Sequence, residues 1–438
     1  MGIEKKMDYK KEILKEMLKM LHKGQKVSEI KEKYKEWLLQ ATPFEIPIIE
    51  QELIKDGIDP SDIAKLCDLH VELFRESVAN KTEFKDLMPG HPLYNLLKEN
   101  EYILKDVELL NLYLEALQFS ANDKRIEILE KINVLINDLS SIRVHFTKLQ
   151  MLVFPYIEKR GIKAVPTVLW TKQDQIKLKL KLFGKIVKRA LSDKGEEIDK
   201  IIKNGRDLSN SVIDMIFREN NILYPTLKIL LSEGEWVAIK QQEELIGYYK
   251  NIVIDDLWRS SSKPIHPYQV SAIIDPEKVE RLPLSVRKFL RSIKDEDQGF
   301  IRKEDINLET GYLSPVEVEA ILNNLPIDIS FIDENDRVRY FNNPKKDRIF
   351  LRTVSVLGRN VKYCHPPKSV HIVEKIIKEF KEGRRDKAEF WIHMGDKFIY
   401  IRYFPVRDNS GKYIGTLEVV QDIARIKTLR GEKRLLDD

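Results

Sequence analysis

His145-Phe146-Thr147-Lys148-Leu149-Gln150-Met151-Leu152-Val153-Phe154-Pro155 and Met215-Ile216-Phe217-Arg218-Glu219-Asn220-Asn221-Ile222-Leu223-Tyr224-Pro225 follow one pattern. Each reads as a helix running into an aromatic-Pro pair. In a helical bundle, a His followed four or five residues later by Glu sets two ligating side chains on the inward face. The first copy keeps His145 but has Leu149 and Gln150 where the carboxylate would stand. The second keeps Glu219 but has Met215 where the His would stand. The repeat therefore predicts a bundle, and its substitutions raise the question of whether that bundle holds a metal.

Working outward, residues 83–249 carry apolar residues at spacings of three and four over four long stretches, as a bundle requires. The first begins near Pro89-Gly90-His91-Pro92 and includes Leu93, Leu96, Leu97, Ile103 and Leu104. The second runs through Ile126 to Val153, the third from about Thr171 to Leu191, and the fourth from Ile201 to Leu223. A shorter helix starts at Ser232-Glu233-Gly234-Glu235 and ends near Gly247.

Upstream, residues 1–82 read as a compact helical domain. Thr42-Pro43-Phe44-Glu45 is a capping box with Pro at the first helical position, and Asp59-Pro60-Ser61-Asp62 repeats the logic. Cys67 and His70 share a helix face, but two soft ligands do not make a site, and packing explains them. Residues 250–305 form a connector that contains the loop Ser260-Ser261-Ser262-Lys263-Pro264, His266, and a helix over Leu284–Ile293.

Downstream the period changes. Ser314-Pro315-Val316-Glu317 caps a helix, and Glu334-Asn335-Asp336 joins two alternating stretches as a hairpin. A helix over Lys368–Lys381 closes at Gly383, and three strands follow: Lys387–Met394, Lys397–Phe404 and Tyr413–Asp422. Strand, strand, helices and three strands make a five-stranded antiparallel sheet with helices across one face, over residues 306–428. Residues 429–438 are a charged tail.

The composition excludes several classes. At 438 residues the chain needs more than one core. Lys+Arg at 75 against Asp+Glu at 70 leaves only +5, which speaks against a nucleic-acid footprint. Two distant cysteines exclude a disulfide framework and suit a reducing, cytoplasmic location. No apolar run is long enough to span a bilayer, so no membrane association is expected. A phosphate-cradling glycine loop, a nucleophile elbow, a His-Glu-x-x-His helix and a kinase catalytic set are all missing, so no enzyme is expected.

The hairpin with Asp-Glu-Asn-Asp at its turn and the strand order around it resemble a PAS domain. The blocks Glu309-Thr310-Gly311-Tyr312-Leu313, Gly358-Arg359-Asn360-Val361, Cys364-His365-Pro366-Pro367-Lys368-Ser369-Val370-His371 and Phe398–Val406 extend the resemblance. They are similar to a prokaryotic family in which a PAS domain follows a domain of unknown function and a haemerythrin-like HHE bundle. Glu52–Gly57 and Leu66–His70 resemble the first of these domains. The expected fold class is thus multidomain α plus α+β: helical domain, haemerythrin-like four-helix bundle, and C-terminal PAS fold.

For the bundle, the resemblance implies non-haem iron, usually a di-iron centre held by His and bridged by Glu. Carried over by position, the ligands are His91, His145 and Glu219. Leu149, Gln150, Met215 and Lys172-Gln173-Asp174 depart from the pattern. Two His and one Glu cannot balance two iron cations, so the site reads as degenerate, with Met215 and Leu149 as core filling. For the PAS domain, the resemblance implies sensing of a small ligand or partner protein and homodimer formation. Cys364 and His365, before the helix, are candidates to face a ligand, haem among the options. Arg402 shares a strand face with Phe398, Tyr400 and Phe404; it is either a pocket cation or part of an exposed cross-strand pair. The function expected is that of a sensory or regulatory protein with the bundle as scaffold. The alternatives are an iron-dependent sensor of oxygen, nitric oxide or iron, and a dimerisation scaffold without ligand.

Overall fold

The computed structural model describes residues 84–192, 198–270, 300–344, 348–365 and 367–433, with scattered positions among 12–57 and residue 287. Cys67, His70, the capping box at Thr42, that at Asp59 and the Leu284–Ile293 helix lie outside the described residues. The chain divides into two compact units, Met1–Gln298 and Gly299–Asp438.

In the first unit, two short helices, Val27–Lys33 and Lys35–Leu38, precede the bundle. The bundle consists of α1 (Pro92–Phe119), α2 (Asn122–Leu139), α3 (Ile142–Lys148), α4 (Ala164–Ser192) and α5 (Ile198–Arg218). The predicted second helix is broken at Ser140-Ser141, so α2 and α3 are separate rods. The third begins earlier than its apolar stripe suggested, at Ala164, where the Gln51 side-chain oxygen accepts from the Lys163 and Ala164 N–H groups at 2.9 Å each. That oxygen satisfies helix-start donors that would otherwise lack a partner.

Helix α1 packs on α2 and α5, and α4 closes the bundle against α2 and α5. Gly205 permits the α1–α5 approach, since a Cβ there would come within 2.6 Å of Leu114 Cδ1. Leu149 and Met215 are buried among the apolar side chains, as core filling predicts.

Both copies of the repeat widen before their proline. Leu149–Val153 and Glu219–Leu223 are π-helical turns, in which Phe154 N–H donates to Leu149 O and Tyr224 N–H to Glu219 O. The next residue, Pro155 or Pro225, has no N–H to give to the carbonyl four residues back, so the α-helical ladder is interrupted at that point. A helix resumes after each, over Phe154–Lys159 and Tyr224–Leu230.

Helix α6 (Glu233–Ile246) starts where the sequence predicts, with a capping box formed by Ser232 and Glu235. Glu235 also pairs with buried Arg160 through both carboxylate oxygens, at 2.8 and 2.9 Å. The first part of the connector packs on the bundle: Leu257 and Trp258 N–H groups donate to Pro89 O at 3.1 and 2.8 Å. Gly90 takes a positive φ of 89°, and a side chain there would collide with Asp256.

The second unit opens with a small ribbon, β1 (Ile306–Leu308) and β2 (Gly311–Leu313), then α7 (Pro315–Asn324) with its Ser314/Glu317 capping box. The main sheet comprises β3 (Asp328–Asp333), β4 (Val338–Phe341), β5 (Ala388–Met394), β6 (Lys397–Arg407) and β7 (Tyr413–Asp422), in the antiparallel order β4-β3-β7-β6-β5. Helix α8 (Pro367–Lys381) crosses one face against β6 and β7. In the β3–β4 turn, Asp333 Oδ1 accepts from Asn335 and Arg337 N–H at 2.9 and 3.0 Å, and Asp336 adopts φ +63°. Buried Asn342 fastens α7 to the sheet by donating to Leu322 and Ile327 carbonyls and accepting from Ile329 N–H.

Candidate functional sites: the bundle core and the PAS-unit cavity

At the bundle centre, His145 lies between two carboxylates. Its Nδ1 is 2.9 Å from Glu99 Oε2 and its Nε2 is 3.0 Å from Glu219 Oε2. Carboxylates facing both nitrogens make both N–H donors, so the ring is an imidazolium. Burial opposes that charge, but the attraction and hydrogen bonding of Glu219 and Glu99 outweigh it and raise the His145 pKa to about 9. Burial likewise pushes the Glu99 carboxyl up, and the His145 and Lys148 cations more than reverse this, leaving it below the usual range.

Lys148, one turn after His145, brings its ammonium 2.7 Å from Glu99 Oε2 and 4.1 Å from the Tyr248 ring centroid. Glu99 Oε1 accepts from Tyr249 N–H at 2.7 Å. The Tyr224 hydroxyl donates to Glu219 Oε2 at 3.3 Å and accepts from Asn100 at 3.1 Å. Tyr224 is five residues after Glu219, which on an α-helix would set it about 140° around the axis. The π turn brings the two side chains to one face instead. Glu243 stands nearby, with Asn95 and Tyr248 donating to its Oε2 at 2.8 and 3.2 Å; burial raises its pKa.

His91 does not join this centre. It caps α1, its Nδ1 accepting from Leu93 N–H at 3.1 Å, and its ring sits 5.0 and 4.9 Å from those of Trp236 and Trp258. Burial lowers its pKa to about 4, so it is a neutral packed cap. Eight residues separate it from Glu99, about 12 Å along a helix. Gln150 and Gln173 join each other, Nε2 to Oε1 at 2.7 Å.

These residues do not fit a di-iron centre. Both His145 nitrogens are engaged with carboxylates, which leaves no lone pair for a metal. Among the described residues no group of three or more His, Cys, Asp or Glu is arranged to hold a metal ion. Sequence reading named His145 and Glu219 but not Glu99, Lys148 or Tyr224. A signal existed: Glu99 and Asn100 interrupt the α1 stripe between Leu96 and Ile103, and all four are buried.

In the second unit a cavity of about 900 Å³ lies between the sheet and α8. Alternation points Ser330 and Ile332 of β3, Phe390 and Ile392 of β5, Ile401 and Tyr403 of β6, and Thr416 and Glu418 of β7 into it. The opposite wall includes Val373, Ile376 and Ile377 of α8. Cys364 and His365 line it as well. His365 Nδ1 donates to Val361 O at 3.0 Å, so Nε2 keeps its lone pair. The polar end is a chain in which Arg352 donates to Glu418 Oε2 and the Tyr403 hydroxyl to Glu418 Oε1 at 2.9 Å.

Arg402 corrects the expectation of a pocket cation. It does share a face with Tyr400, its guanidinium 4.9 Å from that ring, and it reaches Gln421, but this is the sheet's other face and Arg402 does not line the cavity. The cavity's cation is Arg352, from a stretch without periodicity that sequence could not place.

Comparison with known proteins gives three family matches. A family of unknown function (DUF438) matches residues 14–80, the hemerythrin HHE cation binding domain matches residues 91–227, and the PAS domain matches residues 318–424. Among solved structures, the C-terminal domain of a Streptococcus mutans protein is 38% identical over 29% of this chain and 97% of its own, with a TM-score of 0.28. A PAS domain from Colwellia psychrerythraea is 16% identical over 25% of this chain and 97% of its own, with a TM-score of 0.21. The PAS domain of Bordetella pertussis BvgS is 16% identical over 24% and 83%, also with a TM-score of 0.21. No curated protein matches the chain.

Proposed function

We propose that this chain, which belongs to the family joining an N-terminal domain of unknown function, a haemerythrin HHE bundle and a C-terminal PAS domain, senses a small apolar ligand through its PAS domain. The bundle serves as a scaffold and the protein works without catalysis, in the cytoplasm. No helix among the described residues is long and apolar enough to cross a membrane.

The observation that carries this reading is the 900 Å³ cavity, a size typical of small-molecule sites. Its walls are mainly Ile, Val and Phe, which favours a ligand with an apolar body. Arg352 spends one nitrogen on Glu418 and has further N–H groups for a ligand acceptor, while His365 Nε2 can accept a donor or ligate a metal-centred group such as haem. Such a cavity speaks against a ligand-free dimerisation scaffold, and the engaged imidazolium at His145 speaks against an iron-dependent sensor.

For the partner, the sheet's other face is suited to a second copy of the chain. Trp391, 65% exposed, pairs across the ladder with Tyr400 there. The decisive experiment is native mass spectrometry and a visible absorption spectrum of the full-length protein, beside a Val373→Trp variant that fills the cavity. A bound compound present in the wild type and lost in the variant is expected, with a Soret band identifying haem. An empty wild type that no compound in a ligand panel stabilises would refute the reading.

A further inference from the structure

We infer that Lys148, together with His145, is a resident counter-cation that replaces metal charge in the bundle core and keeps divalent cations out. The side chains of Glu99 and Glu219 are 0% exposed. Two carboxylates in a low-dielectric interior require two positive charges close by. A metal pair would supply them; here the His145 ring and the Lys148 ammonium, 1% and 2% exposed, supply them instead.

The manner in which Lys148 is held supports charge rather than shape as its role. Its ammonium is 2.7 Å from Glu99 Oε2 and lies over the Tyr248 ring, yet among the described residues none of its N–H groups makes a well-directed hydrogen bond. A lysine under-solvated in this way stays buried because removing it would leave net negative charge. Glu219 Oε1 is also buried without a hydrogen-bond partner among the described residues, so the cluster holds unspent negative capacity. Taking the ammonium away leaves Glu99 and Glu219 with one cation between them, and a divalent metal entering there would displace a proton from His145 to gain one imidazole nitrogen beside the two carboxylates. That donor set suits a divalent first-row metal.

The network also reaches the point where the chain leaves the bundle. Glu99 Oε1 holds Tyr249 N–H, Lys148 underlies Tyr248, and the following Lys250 and Asn251 take positive φ values of 51° and 52°. Loss of the cation would therefore loosen residues 248–251 as well as the core.

The test uses full-length wild type, Lys148→Ala, Lys148→Met and Lys148→Ala/Glu219→Gln, each purified in chelator and then titrated with Co²⁺, whose d–d bands report protein ligands. Wild type is expected to show no bands above those of surface sites and a Tm unchanged by chelator or Co²⁺. Lys148→Ala is expected to lose roughly 10 °C in Tm, to gain one equivalent of Co²⁺ with a Tm rise, and to lose that gain when Glu219→Gln is added. Lys148→Met, of similar shape without charge, should be destabilised like Lys148→Ala. A wild type that takes up stoichiometric Co²⁺ at His145 would overturn the inference. So would a Met variant as stable as wild type, or a folded Ala variant that gains no metal. If neither neutral variant folds, the wild-type titration still decides whether metal is excluded.

Discussion

Lys148 Nζ and Glu99 Oε2 meet at 2.7 Å in the interior of the bundle, a lysine and a glutamate from different helices with almost no exposure to water. The pair joins α1 to α3 inside the bundle core. From this pair and its neighbours the behaviour of the bundle follows.

Breaking a buried pair by deleting one member costs about 3–5 kcal/mol, because the other charge stays behind. Lys148→Ala is expected to lose that much stability in urea, with the bundle transition moving to lower denaturant. Changing both members, Lys148→Met with Glu99→Gln, should recover a good part of it. A double variant less stable than the sum of the singles would show that the pair is not coupled as described.

His145 sets an alkaline limit. Its folded-state pKa of about 9 exceeds the unfolded value near 6.5, so its stabilisation is whole below pH 6.5 and declines as pH rises towards 9. Thermal melts across pH 6 to 10 should show a falling Tm in wild type. In His145→Gln the slope in this window should be much reduced, from a lower starting Tm.

His91 sets an opposite slope in acid. It stays neutral in the fold down to about pH 4 while the unfolded chain takes up its proton near 6.5, so stability drops as pH falls through that window. His91→Asn keeps an N-cap acceptor and removes this titration. It should flatten the acid slope and leave metal content unchanged, because His91 is a cap and not a ligand.

Arg352 and Arg402 separate the two sheet faces. Arg352→Ala should weaken ligand retention by the PAS domain, seen as loss of the co-purifying compound in native mass spectra, whereas Arg402→Ala should leave it intact. Equal loss in both would mean that the cavity is not the binding site.

Trp391→Glu places a charge on the exposed aromatic face. Light scattering should show a homodimer for wild type and a monomer for the variant at matched concentration, with ligand content preserved. Dimerisation unaffected by the substitution would move the interface elsewhere.

Much of the fold was legible in the sequence because local rules govern it. The helix start at Ser232, the cap at Ser314, the turn at Asp333–Asp336 and the strand alternation of β5–β7 all depend on residues close in the chain. The bundle stripes were equally readable. Even the aromatic-Pro repeat was visible, though not its consequence: Pro155 and Pro225 each follow a π turn, which changes the residues that share a face. Spacing rules that assume 3.6 residues per turn could not bring Tyr224 beside Glu219.

By itself, the sequence determined the order of domains, the helical and strand periods, and the apolar residues Leu149 and Met215 at the positions where the repeat would otherwise carry a carboxylate and an imidazole. Only tertiary structure decided what balances the charge that remains. Glu99 comes from a helix some fifty residues before Lys148 in the chain, and no local pattern pairs them; their meeting depends on how α1 and α3 pack. The cavity followed the same rule. Alternation told which residues of β6 share a face, but which face meets α8, and so whether Arg402 or Arg352 serves the site, depended on long-range packing that strand periodicity does not encode.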